Sequence, residues 1–499
     1  MAPRNSHTPA VRILSLNEQP VNPRGAFVLY WMTAARRLHW NFALDRALEF
    51  CRKLNLPLLI FEPLRCDYRW ASHRLHSFVL RGMADNAAVA ASHGHAYVPW
   101  VEPEFGAGQG LFEAVADQAA VVVTDDYPCF FLPQMVRSAA RKSPVLLEAV
   151  DSNGLLPMRA TETVFPTAYA FRRFLQKSLT PHLQVFPHEN PLGDRTIPRL
   201  EKMPALFSGR WAPAPIELLA CRPELLAKLP IDQTVTTGIA QGGPRAGSHC
   251  LEHFLKHKLH RYGEDRNQPD ADGSSGLSPW LHFGHVSVHQ IFSRLAAQEG
   301  WLIDHLGDPK QTRGGRSGWW GMSEPAEAFL DELITWRELG FNMCSKIRRY
   351  DRWESLPKWA QQTLDEHASD PRPTIYSLEQ LRSAETHDQV WNAAQRQLLS
   401  EGRMHNYLRM LWGKKVLEWS PTPQAALQVL IELNNRYAVD GRDPNSYSGI
   451  FWVFGRYDRA WGPERPIFGK IRYMTSDSTV RKLDIKAYLA KWAPARPGR

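Results

Sequence analysis

The 499-residue chain holds only six cysteines, Cys51, Cys66, Cys129, Cys221, Cys250 and Cys344, and none forms a C-x-x-C pair. That scatter excludes a disulfide scaffold and a thiolate zinc site, and it fits a reducing, cytosol-like compartment. Long apolar runs are missing too. Leu56 to Phe61 and Ala120 to Val123 fall far short of the ~20 residues a membrane-spanning helix needs. No Walker A sequence occurs, and Gly106, Gly108 and Gly110 give only a G-x-G-x-G run that does not read as following a strand, so both nucleotide fingerprints are absent. The first 25 residues lack the apolar stretch of a secretory signal. Their arginines and single Glu18 give an organellar transit segment weak support, and a flexible tail is the expectation.

What is present is charge, rings and alternation. Lys and Arg total 60 against 51 Asp and Glu, a formal +9, which draws polyanions where the surplus gathers on one face. Of 18 tryptophans, 13 lie beyond residue 279, so the C-terminal half carries most of the indole rings. Between residues 26 and 190, apolar runs at 26–31, 56–61, 96–101, 121–124 and 145–150 alternate with helix-like stretches. Leu44, Leu48 and Cys51 recur at helical spacing between the first two. This predicts βαβ units: a doubly wound, Rossmann-like parallel sheet with right-handed crossovers. Residues 191–245 are broken by proline and glycine and read as a connector, and residues 246–499 read as an all-α domain.

Several spacings invite chemistry. The run Gly273-Ser274-Ser275-Gly276-Leu277-Ser278 precedes a predicted helix start, where free N–H groups and hydroxyls can cradle phosphate; a capped turn has the same composition. His253, His257 and His260 share a predicted helical face, but Lys256 and Lys258 interleave them and no carboxylate joins them, so no metal is expected. Trp412 and Trp419 stand seven residues apart on one predicted helix, roughly 10 Å along its axis. Glu332 and Trp336 stand one turn apart on another.

The segments Thr386 to Ala394, Gly402 to Trp419, Leu433 to Asn445 and Gly469 to Met474 resemble class II cyclobutane pyrimidine dimer DNA photolyases of the cryptochrome/photolyase family. The resemblance is most specific from Tyr262 to Trp492 and looser around Tyr30-Trp31-Met32 and Trp40 to Leu44. It implies a carbon–carbon lyase with a U-shaped FAD in the helical domain. Tyr262, Ser274, Ser275, Gly276, Leu277 and Ser278 would hold its pyrophosphate and ribityl region, with Arg409, Asp440 and Arg442 also contacting it and Asn434 near flavin N5. A neutral amide can bond either N5 or N5–H, whereas Asp would oppose an anionic reduced flavin.

The same resemblance makes Trp412, Trp391 and Trp419 the proximal, medial and distal members of a photoreduction chain, with Tyr376 as an auxiliary donor. It assigns Glu332 to the dimer carbonyl, and Trp336, Met410 and Trp452 to the walls around a flipped-out lesion in UV-damaged DNA. For an antenna in the α/β domain, deazaflavin is the family's usual choice, and folate or no antenna at all stays open. A monomer in a cytoplasmic, DNA-associated setting is expected. The alternative is a cryptochrome-type photoreceptor without repair. A (6-4) photoproduct enzyme would call for a lesion-site histidine that the resemblance does not supply. One departure is Gly340-Phe341-Asn342, where many relatives read a carboxylate and Asn after the equivalent of Leu339.

Overall fold

The computed structural model describes residues 8–494; the first residues of the expected tail, 1–7, lie outside that range. Six strands form one sheet: β1 (Ile13–Ser15), β2 (Phe27–Trp31), β3 (Leu58–Leu64), β4 (Ala96–Val101), β5 (Ala119–Asp125) and β6 (Leu147–Val150), in the order β1-β6-β5-β2-β3-β4. All neighbours are parallel except β1, which runs antiparallel to β6. The tail expected over residues 1–25 is therefore corrected: from Ala10 the chain folds, and Ile13–Ser15 adds an edge strand.

The sheet is covered on both faces, so β2 is buried along its whole length. Alternate side chains divide between the faces. Val28 and Tyr30 pack toward helix α1 (Phe42–Leu54), while Phe27, Leu29 and Trp31 pack with α3 (Leu111–Ala116) and α4 (Leu132–Lys142). The chain winds outward from β2 to β3 and β4, then returns beside β2 with β5. At that switch point Asp125 accepts the N–H groups of Thr33, Ala34 and Ala35 at 2.7, 2.7 and 3.0 Å, shaping the loop beyond the strand ends.

A long helix α2 (His73–Ser92) joins the two halves. Its Arg74 donates to the carbonyls of Thr236, Leu398, Leu399 and Tyr437 at 2.5–3.1 Å. The remaining helices used below are α5 (Ala168–Ser178), α6 (Pro244–His257), α7 (Ser278–His282), α8 (Glu324–Leu330), α9 (Arg337–Lys346), α10 (Gln389–Glu401), α11 (Asn406–Trp419), α12 (Pro423–Tyr437) and α13 (Pro444–Trp452). Phe171 and Leu175 of α5 pack into the helical core and Arg172 forks onto Asp331 at 2.7 and 3.0 Å, so in packing α5 sides with the helical half although it precedes residue 190. Helix α6 stops at His257, which leaves His260 in a following 3-10 turn, off the face shared by His253 and His257. No helix among the described residues is long and apolar enough to cross a membrane.

Candidate active site

A cavity of about 770 Å³ lies in the helical half. One wall is the Gly273–Ser278 loop. Gly276 takes a left-handed φ of +70°, and a Cβ at Gly273 would lie 2.4 Å from that of Asp265, so the close loop path requires glycine there. Ser274, Ser275, Gly276, Leu277 and Ser278 all line the cavity, with Tyr262 beside them, and α7 begins at Ser278. On the facing wall Arg409 of α11 forks onto Asp440 at 3.2 and 3.4 Å. His405, at the start of α11, also lines the space. It is 8% exposed, and among the described residues neither ring nitrogen has a hydrogen-bond partner of full geometry, although the Arg266 backbone is close enough to counter part of the fall in its pKa. Burial lowers its pKa to about 4. A buried imidazole, a hydroxyl-rich loop and a fixed guanidinium together form a donor set suited to a polyanionic cofactor.

At the other end, α8 runs into α9 through a π-helical turn, Asp331–Trp336, where plain α-helix was expected. Such turns are concentrated at functional sites. Glu332 and Trp336 both face the cavity. Glu332 is ion-paired with Arg266, a residue that sequence reasoning missed although it follows Tyr262 by one helical turn. Burial raises the Glu332 pKa and Arg266 opposes the rise. Phe341, the departure noted above, is buried, with the Arg337 guanidinium 4.4 Å above its ring. Gly340 permits close approach to α13, since a Cβ would lie 2.7 Å from Ser448 Oγ.

Four residues expected to touch the cofactor or the lesion stand outside the cavity lining. Asn434 is buried and reaches the space through Ser446, whose Oγ accepts from its Nδ2 at 2.6 Å. Met410 lies one residue beyond Arg409, about 100° further round α11. Trp452, at the end of α13, lies between the Lys414 ammonium at 4.7 Å and the Arg472 guanidinium at 5.5 Å. Arg442 is the clearest correction: it is buried, donates to the carbonyls of Asn435, Ala438 and Val439 at the end of α12, and lines a different cavity. The guanidinium thus gathers carbonyls where the chain leaves α12, although that of Ala438 also accepts the Gly441 N–H at 3.1 Å.

Behind Arg409 the rings form a train. Trp412 stacks on Trp391 of α10 with centroids 6.3 Å apart and planes within 8°. Trp391 meets Trp419 at 5.7 Å, and Trp419 meets Tyr376 at 5.3 Å. The seven-residue gap between Trp412 and Trp419 is thus bridged from another helix. Trp391 is fully buried, and Trp412 and Trp419 are nearly so.

A second cavity of about 420 Å³ opens at the carboxyl ends of the parallel strands, where open α/β sheets take ligands. Trp31, Phe61, Trp100, Phe112 and Phe131 supply rings, and the Trp31 indole N–H is buried without an acceptor among the described residues. The glycine run Gly106 to Gly110 lines it and, as expected, does not directly follow a strand: residues 102–105 separate it from the end of β4.

The architecture is thus a doubly wound sheet joined to a helical bundle that holds a polar cavity and a train of stacked indoles. No family model matches the chain. It is 35% identical to the deoxyribodipyrimidine photo-lyase of Methanothermobacter thermautotrophicus over 481 residues, 96% of this chain and 97% of that one. Among solved structures, a Synechocystis cryptochrome superposes with a TM-score of 0.66 at 17% identity, covering 93% of this chain and 88% of that one. The Sulfolobus tokodaii archaeal photolyase, described with two FAD molecules, gives 0.64 at 15%, covering 93% and 89%. The chain belongs to the deoxyribodipyrimidine photo-lyases of the photolyase/cryptochrome family, and it is an enzyme of that kind.

Proposed function

We propose that this chain is a class II photolyase that splits cyclobutane pyrimidine dimers in DNA, acting as a monomer in a cytoplasmic, DNA-associated setting. The observation that carries the reading is that one cavity gathers a phosphate-type cradle, the Arg409–Asp440 fork and the Glu332–Trp336 pair, with a tryptophan train starting behind Arg409. Residues 246–499 are the cofactor-binding half and residues 26–190 the antenna half, joined by 191–245.

FAD bound in this cavity would supply the light-driven electron that opens the cyclobutane ring. The chain's own residues do the rest. Ser274, Ser275, Gly276, Leu277 and Ser278, with Tyr262, hold the polyanionic portion, and His405 supplies a further donor. Arg409 and Asp440 fix the polarity beside the redox ring, and Asn434 offers it a neutral amide. Trp336 presents a flat wall to the extruded bases. Glu332, held by Arg266, stabilises charge that develops on the dimer carbonyl as the ring opens. Met410 and Trp452 border the lesion from outside the cavity lining. Trp412, Trp391 and Trp419 carry electrons inward when the cofactor needs reduction. The second cavity is suited to an antenna chromophore, deazaflavin or folate, with the Trp31 N–H as a waiting donor.

The test is an absorption spectrum of the purified holoprotein, followed by illumination with dimer-containing DNA. A flavin spectrum with loss of dimers is the expected result. A flavin that photoreduces normally while dimers persist would replace this reading with a signalling photoreceptor.

A further inference from the structure

The outer end of the tryptophan train differs from its interior in one respect. The Trp412 indole N–H donates to Gln395 Oε1 at 3.0 Å, and that of Trp391 to the Trp412 carbonyl at 3.0 Å. Amide oxygens are not bases, so an oxidised indole at either position keeps its proton. At the end of the train the Tyr376 phenol lies 2.6 Å from His387 Nδ1, and its oxygen accepts the backbone N–H of His387 at 2.9 Å. With that N–H directed at the oxygen, the short contact fits the phenol donating to the ring nitrogen, an arrangement that goes with the Nε2–H tautomer of His387 and an Nδ1 able to take a proton. The histidine is exposed, and its ring also meets Trp419 at 5.3 Å.

We infer that His387 is the proton acceptor for Tyr376, and that the pair closes the electron route as a proton-coupled donor. The inference rests on the photoreduction route proposed above. In the step, one electron passes from the phenol to the oxidised Trp419 ring, which becomes neutral. The Tyr376 O–H bond breaks and an N–H bond forms at His387 Nδ1, leaving a neutral tyrosyl radical and an imidazolium. One positive charge enters the step on Trp419 and one leaves it on His387.

The surroundings favour this direction. The Lys415 ammonium lies 5.5 Å over the Trp419 ring and opposes a positive charge there, although Glu418, 2.9 Å from that ammonium, offsets part of the effect. Asp388 is the carboxylate next along the chain and does not compete for the proton. Its oxygens already accept the N–H groups of Val390 and Trp391 and the Ser476 hydroxyl.

The experiment is transient absorption of the holoprotein with oxidised flavin, in H₂O and D₂O. Wild type should form a tyrosyl signal more slowly in D₂O, and Tyr376→Phe should lose it. His387→Asn should lose it as well, with the Trp419 radical persisting and the net yield of photoreduction falling. A tyrosyl signal of normal yield and normal isotope effect in His387→Asn, with Trp412→Phe unable to photoreduce, overturns the role of His387 alone. Normal photoreduction in Trp412→Phe overturns the route beneath it. Independently of photochemistry, ¹⁵N NMR of the wild-type protein in the dark should find His387 Nδ1 unprotonated and Nε2 protonated; the opposite tautomer overturns the inference.

Discussion

The two cavities are built from different materials. That of the helical half has serine hydroxyls, the Arg409–Asp440 fork and a buried histidine in its walls, with a train of oxidisable rings behind Arg409. That of the α/β half is lined by rings of several kinds, among them Trp31, Trp100, Tyr68, Phe61 and Phe131. Oxidisable rings thus lie near both cavities; those of the helical half run in series from helix to helix, whereas Trp31, Trp100 and Tyr68 surround the second space itself. A site that moves charge needs fixed dipoles and an exit for the electron, whereas a site that only collects light needs neither.

The largest expected effect would break this contrast. Trp412→Phe should keep the fold and cofactor yet abolish light reduction of the oxidised flavin, measured by its bleaching, and chemical reduction should restore dimer splitting. Next, Glu332→Gln should lower splitting yield by roughly ten- to a hundredfold, the loss of a charge-assisted hydrogen bond of about 1.5–3 kcal/mol. Lesion affinity in the same titration should stay nearly unchanged; an equal fall in both would make Glu332 a binding residue. Trp452→Ala should weaken lesion binding by about 1–3 kcal/mol with photoreduction intact. Unchanged affinity would limit that ring to packing against Lys414 and Arg472.

Lys414 sharpens the contrast through pH. It is fully buried, donates to the Val453 carbonyl at 2.6 Å, and has its pKa pushed down to about 7 by burial. Its unfolded value lies near 10.4, so between the two the unfolded state binds more protons and stability should rise with pH across that window. Lys414→Met should flatten the rise in a series of thermal melts. The smallest effect is expected in the other cavity. Trp31→Phe removes one orphan N–H and should weaken antenna retention by about 1 kcal/mol, leaving splitting unchanged when the flavin absorbs directly.

Local pattern made the central strands legible: runs predicted at 26–31, 96–101 and 121–124 match β2, β4 and β5 within a few residues. It missed β1, because Ile13–Ser15 is only three residues long and partly exposed, with its pairing on distant β6. The glycine run was read correctly as no dinucleotide fingerprint, because β4 ends at Val101 and an acidic loop intervenes. Within the site, the cradle loop and the Glu332–Trp336 pair could be read from spacing. Arg266 could not be matched to Glu332, 66 residues away, without the fold. The place of Trp391 between two rings of α11 is likewise a tertiary fact, which resemblance supplied and spacing could not. Arg442 shows the opposite limit: a resemblance located its segment, but its side chain is directed to the carbonyls of Asn435, Ala438 and Val439 at the end of α12.

Arg74 bears on modularity. One guanidinium from α2 holds carbonyls at the ends of both α10 and α12, the helices that carry Trp391 and Asn434. A graft that transplants the helical half onto another scaffold would leave those carbonyls without their donor, and a graft of the sheet half would carry a buried guanidinium with nothing to bind. Chimeras within this family should therefore exchange α2 together with the helices it holds, and a crossover placed in the 191–245 connector cuts the sequence at a point where the architecture is continuous.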